Sequence, residues 1–237
     1  RGIYMPKLQI LYEDNHCIVV DKPNNLPVQA DSSGDADLLS MVKEYVKEKY
    51  NKPGTAYIGL VHRLDRPAGG LVVLARTSKA AARLSAQVRS KELGRQYLLV
   101  VRGEPKMRAG EIKNYLLKDT AANMVRIVPA ATEGAKEAVL NYRLLQTVNH
   151  PSEGKLSLIE ASLQTGRSHQ IRVQMAGLGC PLYGDQKYGP DLNKKGQQLA
   201  LHAAKLSFIH PTLKDKRTFI SYPPQKAPWT YFRINIE

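Results

Sequence analysis

His62-Arg63-Leu64-Asp65-Arg66-Pro67-Ala68-Gly69-Gly70 is the stretch on which the reading of this chain turns. It lies between two apolar segments of strand length, Tyr57–Val61 and Gly70–Arg76. A strand ends, an acidic residue sits in a tight turn between two arginines, and small residues lead into the next strand. Loops set on rigid strands are where reactive groups are displayed. Opposite charge on either side favours an ionised carboxylate, which suits Asp65 as a nucleophile better than as a general acid. A plainer account is an Asp that caps a turn and pairs with a neighbouring Arg, and the local sequence alone favours that account.

Working outward, Leu8–Tyr12 and Cys17–Asp21 read as short strands, and Lys22-Pro23-Asn24-Asn25-Leu26-Pro27 then breaks the pattern. Asp37 is placed to cap a helix carrying Leu38, Met41, Val42, Tyr45 and Val46 at helical spacing and ending near residues 51–54. Ser78 is expected to cap a second, Ala-rich helix running to about Arg89. Arg95–Gly103 reads as a strand, and alternation at Glu111–Leu117, Met124–Val128, Ala138–Thr147 and Leu156–Leu163 predicts more. Ser168 is expected to cap a third helix through about Ala176, broken by Gly177 and Gly179; Leu199–Phe208 and Arg217–Ser221 close the pattern before a Pro-rich tail. Sequential strands with few intervening helices predict an α+β fold, a mixed and mainly antiparallel sheet flanked by helices and loops. No repeat or long linker interrupts the chain, so residues 1–237 read as a single domain. Arg1–Tyr4, ahead of Met5, are taken as a vector-derived remnant with no fold role.

The chain has 237 residues, 43% of them hydrophobic, enough for a substantial core. Thirty-five Lys and Arg against 21 Asp and Glu leave a formal charge of +14. Such an excess favours a polyanionic partner, because each neutralised phosphate releases condensed counterions. No apolar run approaches the roughly 18–20 residues that cross a bilayer, and the first residues lack the apolar centre of a signal peptide. Cys17 and Cys180 stand far apart without metal-ligand spacing, which reads as two buried thiols in a reducing cytoplasm. No membrane association is expected.

Two further stretches carry candidate chemistry. In Leu163-Gln164-Thr165-Gly166-Arg167-Ser168-His169-Gln170-Ile171-Arg172-Val173, a Thr-Gly turn opens a probable helix whose first amides and basic side chains can face an anion. Helical spacing would put Ser168 and His169 on the same side as Arg172; an ordinary basic amphipathic helix accounts for the pattern equally well. Arg95-Gln96-Tyr97 heads an apolar strand, where a Tyr is usually core or an interface anchor. His62, His169 and His202 lack the spacing of a zinc site, so no metal is expected.

In this order and at these spacings the segments resemble the RluA-like family of pseudouridine synthases across nearly the whole chain. The resemblance rests on Asp21-Lys22-Pro23 with Leu26-Pro27-Val28, the His62–Asp65 turn, the Tyr97 strand ending at Gly103, and Thr165 to Arg172. It continues through Gly184-Asp185-Gln186-Lys187-Tyr188-Gly189 and through Leu201-His202-Ala203 with His210-Pro211. It implies the synthase catalytic-domain fold with a central cleft, and catalytic roles for Asp65, Tyr97 and Arg172. Asp65 matches the attacking aspartate, Arg172 the arginine that pairs with it, and Tyr97 the tyrosine that stacks on the base. Arg63 matches the arginine that fills the gap left by a flipped uridine. Lys22, His62, Arg66 and Arg167 would face RNA or support the site, and His62, with His169 and His202, would shape or hydrogen-bond it. Ala68-Gly69, Gln174 and Arg95 depart from the commoner Thr-Ser, His and Lys of the family pattern.

The implied reaction turns uridine in ribosomal or transfer RNA into pseudouridine and needs no cofactor, because nothing is oxidised or reduced. The implied enzyme is a cytoplasmic monomer with no obligate protein partner. The Lys-Pro element begins at Asp21, so the small amino-terminal RNA-binding domain many relatives carry is not expected before it. A non-catalytic RNA-binding or ribosome-assembly factor would explain the charge, but it would not need Asp65, Tyr97 and Arg172 together. An RNA hydrolase would want a carboxylate cluster for metal ions, and none is evident.

Overall fold

The computed structural model describes residues 7–237; Arg1–Tyr4, read above as a remnant, lie outside the described residues. In chain order the elements are β1 (Gln9–Glu13), β2 (Cys17–Lys22), α1 (Leu38–Lys49), β3 (Gly59–Leu60), β4 (Gly69–Ala75), α2 (Ser78–Arg89) and β5 (Gly94–Arg102). There follow β6 (Ala109–Asp119), β7 (Met124–Val128), β8 (Lys136–His150), β9 (Gly154–Leu163), α3 (Gln170–Gly177), β10 (Leu201–Ile209) and β11 (Lys216–Ile220). This is the expected α+β composition. Contacts group the chain into two compact units, one running through Gly94 and including Ala203–Ser221, the other Arg95–His202 with Tyr222–Glu237.

In the first unit β1, β2 and β4 form an antiparallel run, β3 pairs with the far end of β4, and β10 forms a hairpin with β11. Val19, Leu71, Val73, Leu84, Leu206 and Phe208 bury one shared core, with α2 packed over the sheet through Ala80 and Leu84. The Gln87 side chain acts there as a stand-in strand, donating to Ile209 O at 2.7 Å and accepting from Ile209 N at 2.8 Å. Each helix begins where the local chemistry dictates. The Asp37 carboxylate accepts from Ser40 N at 3.0 Å, as the sequence predicts. The second cap is Thr77 rather than Ser78, its hydroxyl accepting from Ala80 N at 3.1 Å. Gly70 is confined to glycine twice over, by a φ of 112° and because a Cβ would meet Ala203 O at 2.3 Å.

The second unit is an antiparallel sheet in which β5 pairs with β9, β9 with β8, β8 with β6 and β6 with β7. Val173 of α3 packs with Leu116, Val125 and Ala138 against this sheet. Buried Gln174 anchors the helix, its amide nitrogen 3.0 Å from Asn114 Oδ1 and 3.2 Å from Ala138 O. One sequence expectation fails here. Helix α3 starts at Gln170, and Ser168 does not cap it, because His169 takes a left-handed conformation (φ 52°) that turns the chain one residue later. The Gln170 amide closes the preceding turn instead, its oxygen accepting from Thr165 Oγ1 at 2.8 Å and Arg167 N at 3.0 Å.

Candidate active site

The Asp65 turn is held from beneath by side chains that grip its backbone. Ala68 N donates to Asp65 O at 3.0 Å, closing the turn. Lys22, only 1% exposed, sends its ammonium to Leu26 O at 2.7 Å, Pro23 O at 3.0 Å and Arg66 O at 3.1 Å. Three carbonyls take the three N–H groups of a protonated amine, which a neutral amine could not supply. Burial nonetheless pushes the Lys22 pKa down to about 7, while the nearby charge of Asp65 works the other way. Asn24 Nδ2 adds a bond to Pro67 O at 2.9 Å. The buried His62 ring accepts from Val73 N at its Nε2, 3.1 Å away, which puts the neutral ring's proton on Nδ1. With the backbone so fixed, Asp65 itself is partly exposed and Arg63 is exposed.

Of the two arginines flanking Asp65, Arg63 is exposed and Arg66 is partly exposed. Arg66 turns to the loop before α1, with Nη1 3.2 Å from Asp31 Oδ2 and 3.1 Å from Ser33 Oγ, and Nη2 on Asp35. It is therefore a loop tie at the surface. Lys22 takes the supporting place, its charge turned inward.

In the second unit Arg172 is 5% exposed and forms a two-pronged pair with Asp185. Nε meets Oδ2 and Nη2 meets Oδ1, each at 2.8 Å. Burial alone raises the Asp185 carboxyl, but the Arg172 bonds and charge and the amides of Tyr188 and Lys187 outweigh it, and its pKa falls below the usual carboxylate range. The Tyr188 ring lies 5.2 Å from the Arg172 guanidinium. Its hydroxyl accepts from Val125 N at 3.0 Å and lies 2.6 Å from His169 Nδ1. Tyr188 thus touches both His169 and Arg172, while Ser168 and His169 lie ahead of α3 and not on its Arg172 face as the helical spacing predicts. Tyr97 sits on β5 opposite Ala161 and is 4% exposed. Arg167 is exposed and anchored by Nε to Glu137 O at 2.8 Å.

Sequence reasoning passed over three residues of the second unit. Asp185 carries no expected role, although an Asp directly after Gly184 is a plain turn signal. Asn193 is buried, and its amide nitrogen lies within 2.9 Å of both Leu182 O and Gly189 O and 3.3 Å of Asp185 O. Its oxygen accepts from Gly184 N at 2.8 Å and from Arg102 Nε at 2.9 Å. Arg102 in turn pairs with Glu153 at 2.8 Å. Among the described residues one further group gathers potential metal-binding atoms, Asp14, Cys17 and His210. His210 Nδ1 accepts from Thr212 N and Leu213 N, so the ring's proton lies on Nε2 and points at Asp14 Oδ2, 2.6 Å away. With burial also pushing the Cys17 thiol up to about 12, the geometry is that of a hydrogen-bonded turn.

A family model described as RNA pseudouridylate synthase matches residues 16–177. The chain is 34% identical over 230 residues to "Ribosomal large subunit pseudouridine synthase D" of Zymomonas mobilis, covering 92% of this chain and 70% of that one. It is likewise 34% identical over 206 residues to the uncharacterized RNA pseudouridine synthase YhcT of Bacillus subtilis, covering 86% of this chain and 65% of the relative. It thus spans about two thirds of the length of these relatives. Human RNA pseudouridylate synthase domain containing 4 shares the fold, with a TM-score of 0.73 at 23% identity over 92% of this chain and 89% of that one. No helix among the described residues is long and apolar enough to cross a membrane.

Proposed function

Because the chain belongs to the RNA pseudouridylate synthase family, we propose that it isomerises uridine to pseudouridine in structured RNA, with ribosomal RNA as the substrate. The observation that carries this reading is the Asp65 turn: a partly exposed carboxylate on a backbone held by buried Lys22 and by Asn24, within the matched family segment. In the reaction the bond between uracil nitrogen 1 and ribose carbon 1 breaks, the base rotates, and carbon 5 bonds to the ribose. Carbon 5 then gives up its proton and nitrogen 1 gains one, so no redox partner enters.

The uridine must first leave its stack, which costs a few kcal/mol. Exposed Arg63 occupies the vacated place, and exposed Arg167 contributes a phosphate contact. Asp65 then acts covalently, at the ribose or by assisting loss of uracil. Arg172 pairs with Asp65 in the reaction, and Tyr97 stacks on the base. The enzyme works as a cytoplasmic monomer. Pseudouridine mapping in cells lacking the protein tests the substrate. A ribosomal site lost on deletion, restored by wild type and not by Asp65→Asn, is the expected result; loss at transfer RNA sites would move the address, and an unchanged map would sink the proposal.

A further inference from the structure

The second unit spends a chain of buried polar groups on one guanidinium, and the family resemblance gives no reason for it. Arg172 can offer five N–H donors in a planar fork. Asp185 takes two of them in a bidentate contact, and its carboxylate, fully buried, has no latitude of its own: Oδ1 also accepts from Lys187 N at 3.0 Å and Tyr188 N at 3.1 Å. Behind it, Asn193 ties both ends of the turn that carries Asp185, through Leu182 O and Gly184 N on one side and Gly189 O on the other. Gly184 is needed there, with φ 79° and space for a Cβ closed by Gln198 O at 2.3 Å. The face of the guanidinium is covered by Tyr188, which is itself held through Val125 N and His169.

Such an arrangement fixes the plane and the direction of Arg172, as well as supplying a countercharge. A lone buried ion pair adds little stability, because desolvation offsets the attraction. A guanidinium held at Nε and Nη2, however, can present its remaining edge in one orientation only. We propose that Asp185 is the positioning residue for Arg172, holding the guanidinium at the angle at which it serves the reacting carboxylate, with Asn193 holding Asp185 in turn. This rests on the reading that Arg172 pairs with Asp65 in the reaction.

A double-mutant comparison in single-turnover assays on substrate RNA tests it, using Asp185→Asn, Arg172→Ala and the two combined. Asparagine keeps the shape of Asp185 but turns an amide N–H toward one guanidinium nitrogen, which breaks the fork. We expect Asp185→Asn to slow the chemical step about tenfold to a hundredfold, the scale of a misdirected catalytic group, with RNA affinity unchanged within about twofold. In the Arg172→Ala background the same substitution should slow it no further. Asp185→Asn at the wild-type rate, or an equal slowing in both backgrounds, would overturn the proposal. Arg172→Ala at the wild-type rate would instead overturn the parent reading of Arg172. If Asp185→Asn does not fold, Arg172→Lys decides: it keeps the charge and loses the fork, so a slowing comparable to Arg172→Ala supports positioning and a wild-type rate refutes it.

Discussion

The Asp65 turn and the Arg172 helix solve the same problem in opposite ways. In the first unit the reactive candidate is left partly exposed, and the grip falls on its backbone, through Lys22 at Arg66 O and Asn24 at Pro67 O. In the second the grip falls on the side chain itself, through the Asp185 fork and the Tyr188 face. The difference follows from what each group does. A nucleophile must move into and out of covalent contact, which a firmly held backbone allows. An arginine that orients another group works best when its own rotamers are removed.

If the turn is held by backbone contacts, its weakest point is the lysine beneath it. Lys22→Met should destabilise the protein by about 3 kcal/mol, since three carbonyls, that of Leu26 buried, lose their donor, and should take activity with it; urea unfolding measures the loss. A change under 1 kcal/mol would mean that Lys22 does not hold the turn. Asn193→Ala should cost about 2 kcal/mol and slow the chemical step about tenfold, because the Asp185 turn loosens while RNA contacts remain. Acid separates the two regions further. The Asp185 pKa lies below the usual value, so its contribution is present above about pH 4 and is lost as pH falls below that. Acid does not discharge Lys22. Stability of wild type and Asp185→Asn should therefore converge as pH falls below about 4, and parallel curves would contradict the fork. The smallest effect belongs to Arg66→Ala: its partners Asp31 and Asp35 are exposed, so less than about 1 kcal/mol should be lost.

The same contrast explains what the sequence could show. The Asp65 turn is a contiguous signal, strand, turn and strand in some twenty residues, and the strands and the Asp37 cap follow from local patterning within three residues at each end. The polar network around Arg172 was hidden, because Arg102, Asn193 and Asp185 meet only after β5 and the 182–193 loop have folded together. Composition cannot tell a buried Asn that ties a turn from a surface one. Ser168 misled for a related reason. Ser before a helical run is the ordinary cap, but the left-handed His169 and the Gln170 amide had already closed that turn. Lys22 and Arg66 likewise look like RNA-facing charges in a chain of +14, and only their partners reveal that one faces inward and the other holds a loop.

The central claim concerns Asp65, and release of tritium from carbon 5 of uridine-labelled ribosomal RNA tests it most directly. Wild type should release tritium without cutting the strand. Asp65→Asn, which keeps the turn and the shape of the side chain, should release none while binding the RNA as before. Tritium release by Asp65→Asn at the wild-type rate would contradict the account.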